Sequence, residues 1–161
     1  MQKTWLTLSG LALAAALAAP GPAAAQQKDV EIAMIVPLSG PWARQGVLER
    51  MGAEMAIEDI NNSGGIKSLG GAKVKLVTLD TGDSAEKAKN AAQRLVAQNP
   101  DVIGGFGAWL SSFTLAVTEV TERAELPWLT LSYSDQITGR GFRYVFQTSA
   151  TGDRQSEVWN T

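Results

Sequence analysis

The chain has 161 residues with 14 basic and 16 acidic groups, a net charge of −2 at pH 7, no cysteine and no histidine. That length suits one domain or one lobe. Missing Cys excludes disulfides, and missing His excludes Ser-His-Asp and Cys-His catalysis and the commonest zinc ligand within this chain. The mild acidity leaves no electrostatic footprint for nucleic acid or an anionic membrane.

The amino terminus reads as an export signal. Lys3 supplies a positive start, Trp5–Ala19 an apolar run, and Ala23-Ala24-Ala25 small residues for cleavage. Pro20, Gly21 and Pro22 break any helix there. The run is shorter than the ~20 apolar residues that a span requires, so cleavage before Gln26 is expected rather than anchoring. Without Cys the lipoprotein route is closed. The exported protein is expected to be soluble and periplasmic. Asn61-Asn62-Ser63 is a glycosylation sequon that matters only in a eukaryotic secretory pathway.

Val30–Val36 is an almost unbroken apolar run ending at Pro37, the pattern of a strand buried on both faces of a parallel sheet. Val47–Ile60 predicts a helix with Ala53, Ala56, Ile57 and Ile60 on one stripe, closed by Asn61–Gly65. Val74–Asp80 follows as a second strand. Asp83 with Glu86 three residues on predicts a capped helix over Ser84–Gln98. Asp101–Gly104 predicts a third strand, Phe113–Ala124 a third helix, Trp128–Leu131 a fourth strand and Tyr144–Thr148 a fifth. Asp153–Trp159 reads as the opening turns of a helix with no stop signal, so the sequence is expected to be cut inside an element. The fold class is therefore α/β, an open parallel sheet with helices on both faces and right-handed crossovers.

Such sheets bind ligands outside the carboxyl ends of their strands. Three loops, Pro37–Gly46, Gly104–Ser112 and Ser132–Gly141, leave those ends and are expected to converge on one cleft wall. Gly105-Phe106-Gly107-Ala108-Trp109-Leu110 lacks the third glycine of a dinucleotide fingerprint, and its glycines read as a tight turn after a strand. Ser111 and Ser112 precede a helix. Either could cap it, and the same free N–H groups could hold a ligand carboxylate. Ser132-Tyr133-Ser134 reads as a polar turn, and Trp42 and Trp109 stand on the same rim. Asp80-Thr81-Gly82 spells the aspartic-protease triplet, but that chemistry needs a second carboxylate from a second copy, and the context is strand-to-helix.

Five segments, PLSGPWARQG (Pro37–Gly46), AIEDINNSGGI (Ala56–Ile66), VKLVTLDTGDSAEKAKNAAQRLV (Val74–Val96), GAWLSSFTLA (Gly107–Ala116) and LTLSYSDQITGRGFRYVFQTSAT (Leu129–Thr151), resemble in order and spacing the leucine/isoleucine/valine-binding type of solute receptor. The resemblance implies the first lobe of a two-lobe type I periplasmic binding protein. Residues 1–25 are then the signal, 26–148 the amino-terminal ligand-binding lobe and 149–161 the start of the second. It implies that Ser111 meets the ligand carboxylate and that Ser132 and Ser134 contact its head group through backbone and hydroxyl. Trp109 falls at a side-chain pocket position. The family's first loop often sets a tyrosine before its glycine. Gln45 stands there here, with Trp42 nearby, a departure from the leucine-like pattern, and the large Trp109 points to a different pocket shape, for an amide, a urea-like compound or an aromatic acid. The eight candidate ligand-binding residues are thus Trp42, Gln45, Trp109, Ser111, Ser112, Ser132, Tyr133 and Ser134. The resemblance further implies an ABC-importer component that captures a small solute, meets a membrane permease, is monomeric at full length, and has no catalytic group, metal or cofactor. The alternative is a sensory or regulatory module of the same fold.

Overall fold

The almost unbroken apolar run Val30–Val36 forms strand β1, an interior strand of the sheet, with Ala33, Ile35 and Val36 fully buried. In the computed structural model, which describes residues 28–159, the chain continues through α1 (Ala43–Asn62), a short 3-10 turn (Lys67–Leu69), β2 (Val74–Asp80) and α2 (Ala85–Gln98). It goes on through β3 (Val102–Gly107), α3 (Ser111–Arg123), β4 (Trp128–Thr130), α4 (Gln136–Gly139), β5 (Val145–Gln147) and α5 (Gly152–Trp159). The expected export signal lies outside the described residues. Among those residues, no helix is long and apolar enough to cross a membrane.

All four strand pairings are parallel, in the order β2-β1-β3-β4-β5. On one face, Ala33, Ile35 and Trp128 pack beneath α2 and α3. Ala88, Ala91 and Ala92 let α2 lie close to its neighbours, with Leu95 filling the remaining space. The cap of α2 is Ser84, not Asp83. Ser84 has the extended backbone that a cap requires, and its hydroxyl accepts the Lys87 N–H at 3.2 Å. Asp83, one residue too early, pairs with Lys87 Nζ at 2.8 Å. The end of α1 is tied to the start of β2 by Asn61, whose side chain bonds both the N–H and the C=O of Val74, at 2.8 and 2.9 Å.

The other face differs. Its one long helix is α1, in which Gly46 alone is buried. Between α1 and the sheet runs an apolar groove of about 580 Å³, lined by Ile32, Met34, Ala53, Ile57, Phe106 and Leu129 among others. Leu131 and Phe146 remain at least half exposed. The stripe expected on α1 exists, but it faces this groove rather than a closed core.

Of the glycines expected to turn the chain after the third strand, Gly107 ends β3 at φ 111°, whereas Gly105 lies inside the strand. Gly105 sits against the Trp128 ring, and a Cβ there would fall 2.3 Å from Cζ3.

Candidate ligand-binding site

β1 and β3 are neighbours, yet α1 leaves the sheet on one face and α3 on the other. The order reverses between them, and the crevice outside their carboxyl ends is where open α/β sheets hold ligands.

The first loop, between β1 and α1, is fixed by Asp80 at the end of β2. Its carboxylate accepts the N–H of Leu38 and of Gly82, each at 2.7 Å. Burial opposes its charge, but hydrogen bonds from the Ser39 hydroxyl and from the backbone of Leu38, Gly82 and Ser39 outweigh that and hold its pKa below the ordinary value. The protease-like triplet is thus a loop anchor. At the start of α1, Gly46 packs against Pro37 so closely that a Cβ would sit 1.8 Å from the Pro37 carbonyl oxygen.

The second loop leaves β3 through Ala108, a non-glycine residue at φ 65°, held by its N–H to the Ile35 carbonyl at 2.6 Å. Strain of this kind gathers at functional sites. Trp109 then meets Trp42 edge to face, with ring centroids 5.1 Å apart.

Ser111 is the first residue of α3. The cap position falls on Leu110, and no side chain caps the helix. Neither Ser111 nor Ser112 takes the capping role that the sequence allows. The first backbone bond of the helix runs from Thr114 N–H to Leu110, so the N–H groups of Ser111, Ser112 and Phe113 have no partner among the described residues. Ser111 Oγ accepts the backbone N–H of Ser134 at 3.3 Å, joining the second loop to the third. Ser134 Oγ in turn accepts the Gln136 N–H at 3.3 Å. Ser112 is exposed, and Tyr133 in the third loop is 57% exposed.

Two expected site residues are placed differently. Ser132 is buried, with its hydroxyl donating to the Trp109 carbonyl at 2.8 Å and its N–H donating to Thr130 Oγ1 at 3.1 Å. Its carbonyl accepts from Gln147 Nε2 and Ser149 Oγ. With every polar group engaged inside the chain, Ser132 stands behind the wall and sets the loop's shape. Gln45 is turned along α1, where its amide donates to Glu49 Oε1 at 3.2 Å. Glu49 lines the apolar groove. Desolvation raises its pKa, and the Gln45 bond only partly opposes this.

Sequence reasoning missed Thr114. Its buried hydroxyl bonds the Ala108 carbonyl at 3.0 Å and Ser132 Oγ at 2.7 Å, tying α3 to both loops. A threonine on the inner face of an apolar helix was the available signal.

The groove along α1 reaches this edge through Trp109. Its apolar walls offer little to hold a polar solute, so the loop edge is the better candidate. No group of three or more metal-ligating side chains occurs among the described residues. The exposed edge therefore combines free N–H donors and a serine hydroxyl with two indole rings: an end for an anion and a surface for an apolar body.

A family model described as "Periplasmic binding protein" matches residues 29–159. The chain belongs to the periplasmic binding protein family. That family consists of binding proteins rather than enzymes, and the fold is that of an amino-terminal lobe of the type I class. Among relatives of this binding protein, Leu/Ile/Val-binding protein homolog 7 of Brucella melitensis is 36% identical over 143 residues, covering 88% of this chain and 34% of its own. The substrate-binding protein LivJ of Streptococcus pneumoniae, solved with isoleucine, matches with a TM-score of 0.70 and 27% identity, covering 77% of this chain and 34% of its own. A solute-binding protein from R. palustris, solved with 4-hydroxybenzoate, matches with a TM-score of 0.64 and 25% identity, covering 77% and 32%. The chain spans about a third of the length of the curated relatives it matches.

Proposed function

We propose that this chain supplies one wall of a solute cleft in an extracytoplasmic binding protein. That protein would deliver an amino acid or related carboxylate to the membrane permease of an ABC importer. Residues 26–148 form the first lobe, and 149–161 begin the passage to a second. Closure of the lobes buries the solute, and the closed form is the one presented to the permease.

The observation that carries this reading is the contact between Ser111 and Ser134 at the uncapped first turn of α3. It sets a hydroxyl and unpartnered N–H groups side by side where the helix dipole favours negative charge. The ligands named for the two neighbouring structures, isoleucine and 4-hydroxybenzoate, share a carboxylate and little else. That supports a site defined first by its anionic end. Family membership supports location outside the cytoplasm and transport rather than catalysis.

The test is Ser111→Ala in the protein at its full length, titrated by calorimetry with amino acids and aromatic acids. Losing the hydroxyl is expected to weaken binding by about 1–3 kcal/mol. Ser111 caps nothing, so stability should fall only by the loss of its one contact with the Ser134 N–H, about 0.5–1.5 kcal/mol. Unchanged affinity with a lower melting temperature would overturn the assignment.

A further inference from the structure

We infer that the paired indoles of Trp42 and Trp109 make this site selective for an aromatic carboxylate over a branched aliphatic one. The inference rests on the carboxylate reading of Ser111 and goes beyond it by naming the ligand's body.

The two rings come from different loops, one leaving β1 and the other β3, and so they straddle the reversal point of the sheet. Trp109 lies two residues before Ser111, so ring and anion donors stand within the span of a single small ligand. The edge-to-face contact at 5.1 Å holds each ring against the other. Trp42 nevertheless stays 41% exposed, which leaves indole surface free. Immobilised rings offer contact area that need not be ordered again on binding.

The shape of this surface decides between ligand bodies. A branched aliphatic chain against flat rings gains the burial of its apolar area. A ligand ring gains that and also the alignment of ring edge and ring face that the two indoles already show between themselves. The additional aromatic term corresponds to a preference of about three- to tenfold. Trp109 also lines the apolar groove, together with Phe106 and Leu129. A planar body that reaches the groove there meets apolar side chains.

The probes are benzoate and isovalerate, which carry the same charge and no ammonium, titrated at millimolar concentration into the isotope-labelled protein at its full length. The signals followed are the backbone amides of Ser111 and Ser134 and the indole N–H of Trp42 and Trp109. Benzoate is expected to bind three- to tenfold more tightly, and Trp42→Leu, which keeps apolar bulk on an exposed site, is expected to abolish that margin. Equal or tighter binding of isovalerate, with both serine amides shifting, overturns the aromatic preference and leaves the carboxylate site standing. Silence at Ser111 and Ser134 with both probes overturns the two together.

Discussion

Glu49 is a carboxylate on the apolar side of its helix. It lines the groove beneath α1 with Gln45 as its one hydrogen-bonding side chain. Desolvation raises its pKa, so the folded chain favours the protonated acid. The linkage follows from that sign. The group favours folding at pH below its unfolded value of about 4.3. That advantage disappears as pH rises through the elevated folded value, and at pH 7 the charge opposes the fold. Glu49→Gln is therefore expected to raise the melting temperature at pH 7 and to change it little at pH 3.5. Melting curves of both proteins at the two values check this, and a drop at pH 7 would mean that the charge has a favourable partner. Asp80 has the opposite sign. Its pKa is lowered, so its contribution is present above the unfolded value and is lost as acid titrates it.

The elements show what periodicity conveys and what it omits. β1 was legible to the residue because buried parallel strands are written as unbroken apolar runs, and β2 because a β-rich segment with two distinct faces follows the Gly70-Gly71 turn. Helix existence was legible from the apolar stripes, but helix starts were not. Ser84 rather than Asp83 caps α2, and α3 begins at Ser111 with no cap, because capping depends on one residue's backbone angles. The short α4 has too few residues for a period to show. Gly105 was misread because its reason is not local: it makes room for a ring 23 residues away, Trp128. Hence Gly105→Ala is expected to destabilise the chain by about 1–3 kcal/mol, since the added methyl meets buried aromatic carbon and the Ala33 carbonyl. Gly52→Ala, with open space around its Cβ on an exposed stretch of α1, should gain about 0.5–1 kcal/mol instead. Denaturant midpoints of the two variants test the contrast, and equal effects would refute the packing explanation. The candidate site was partly legible for the same reason. Trp42, Trp109, Ser111 and Ser134 follow from loop position on a parallel sheet. The burial of Ser132 depends on Thr114 and Trp109, contacts that no single loop reveals.

At the scale of the molecule, the sheet is covered unequally. Parallel sheets are ordinarily buried on both faces. Here α2 and α3 close one, while along α1 the apolar groove and the side chains of Leu129, Leu131 and Phe146 remain open to solvent. Contiguous apolar surface of this kind binds dyes and other chains. The binding edge is one-sided for a related reason. In the proposed site, Ser111, Ser134 and the free N–H groups would meet a ligand from a single wall, so each polar contact would compete with water at high dielectric. The α-ammonium of an amino acid would need a carboxylate that this edge does not present, since Asp80 is committed to the first loop and Asp135 receives the Asp153 N–H. The isolated 161-residue chain is therefore expected to bind amino acids no more tightly than millimolar. It is also expected to enhance the fluorescence of an apolar dye and to sediment as a concentration-dependent mixture. Polypeptide of the relatives' full length should bind at micromolar concentration, exclude the dye and sediment as a monomer. Tight binding by a dye-silent, monomeric 161-residue chain would show that one wall suffices and would refute closure between two lobes as the means of capture.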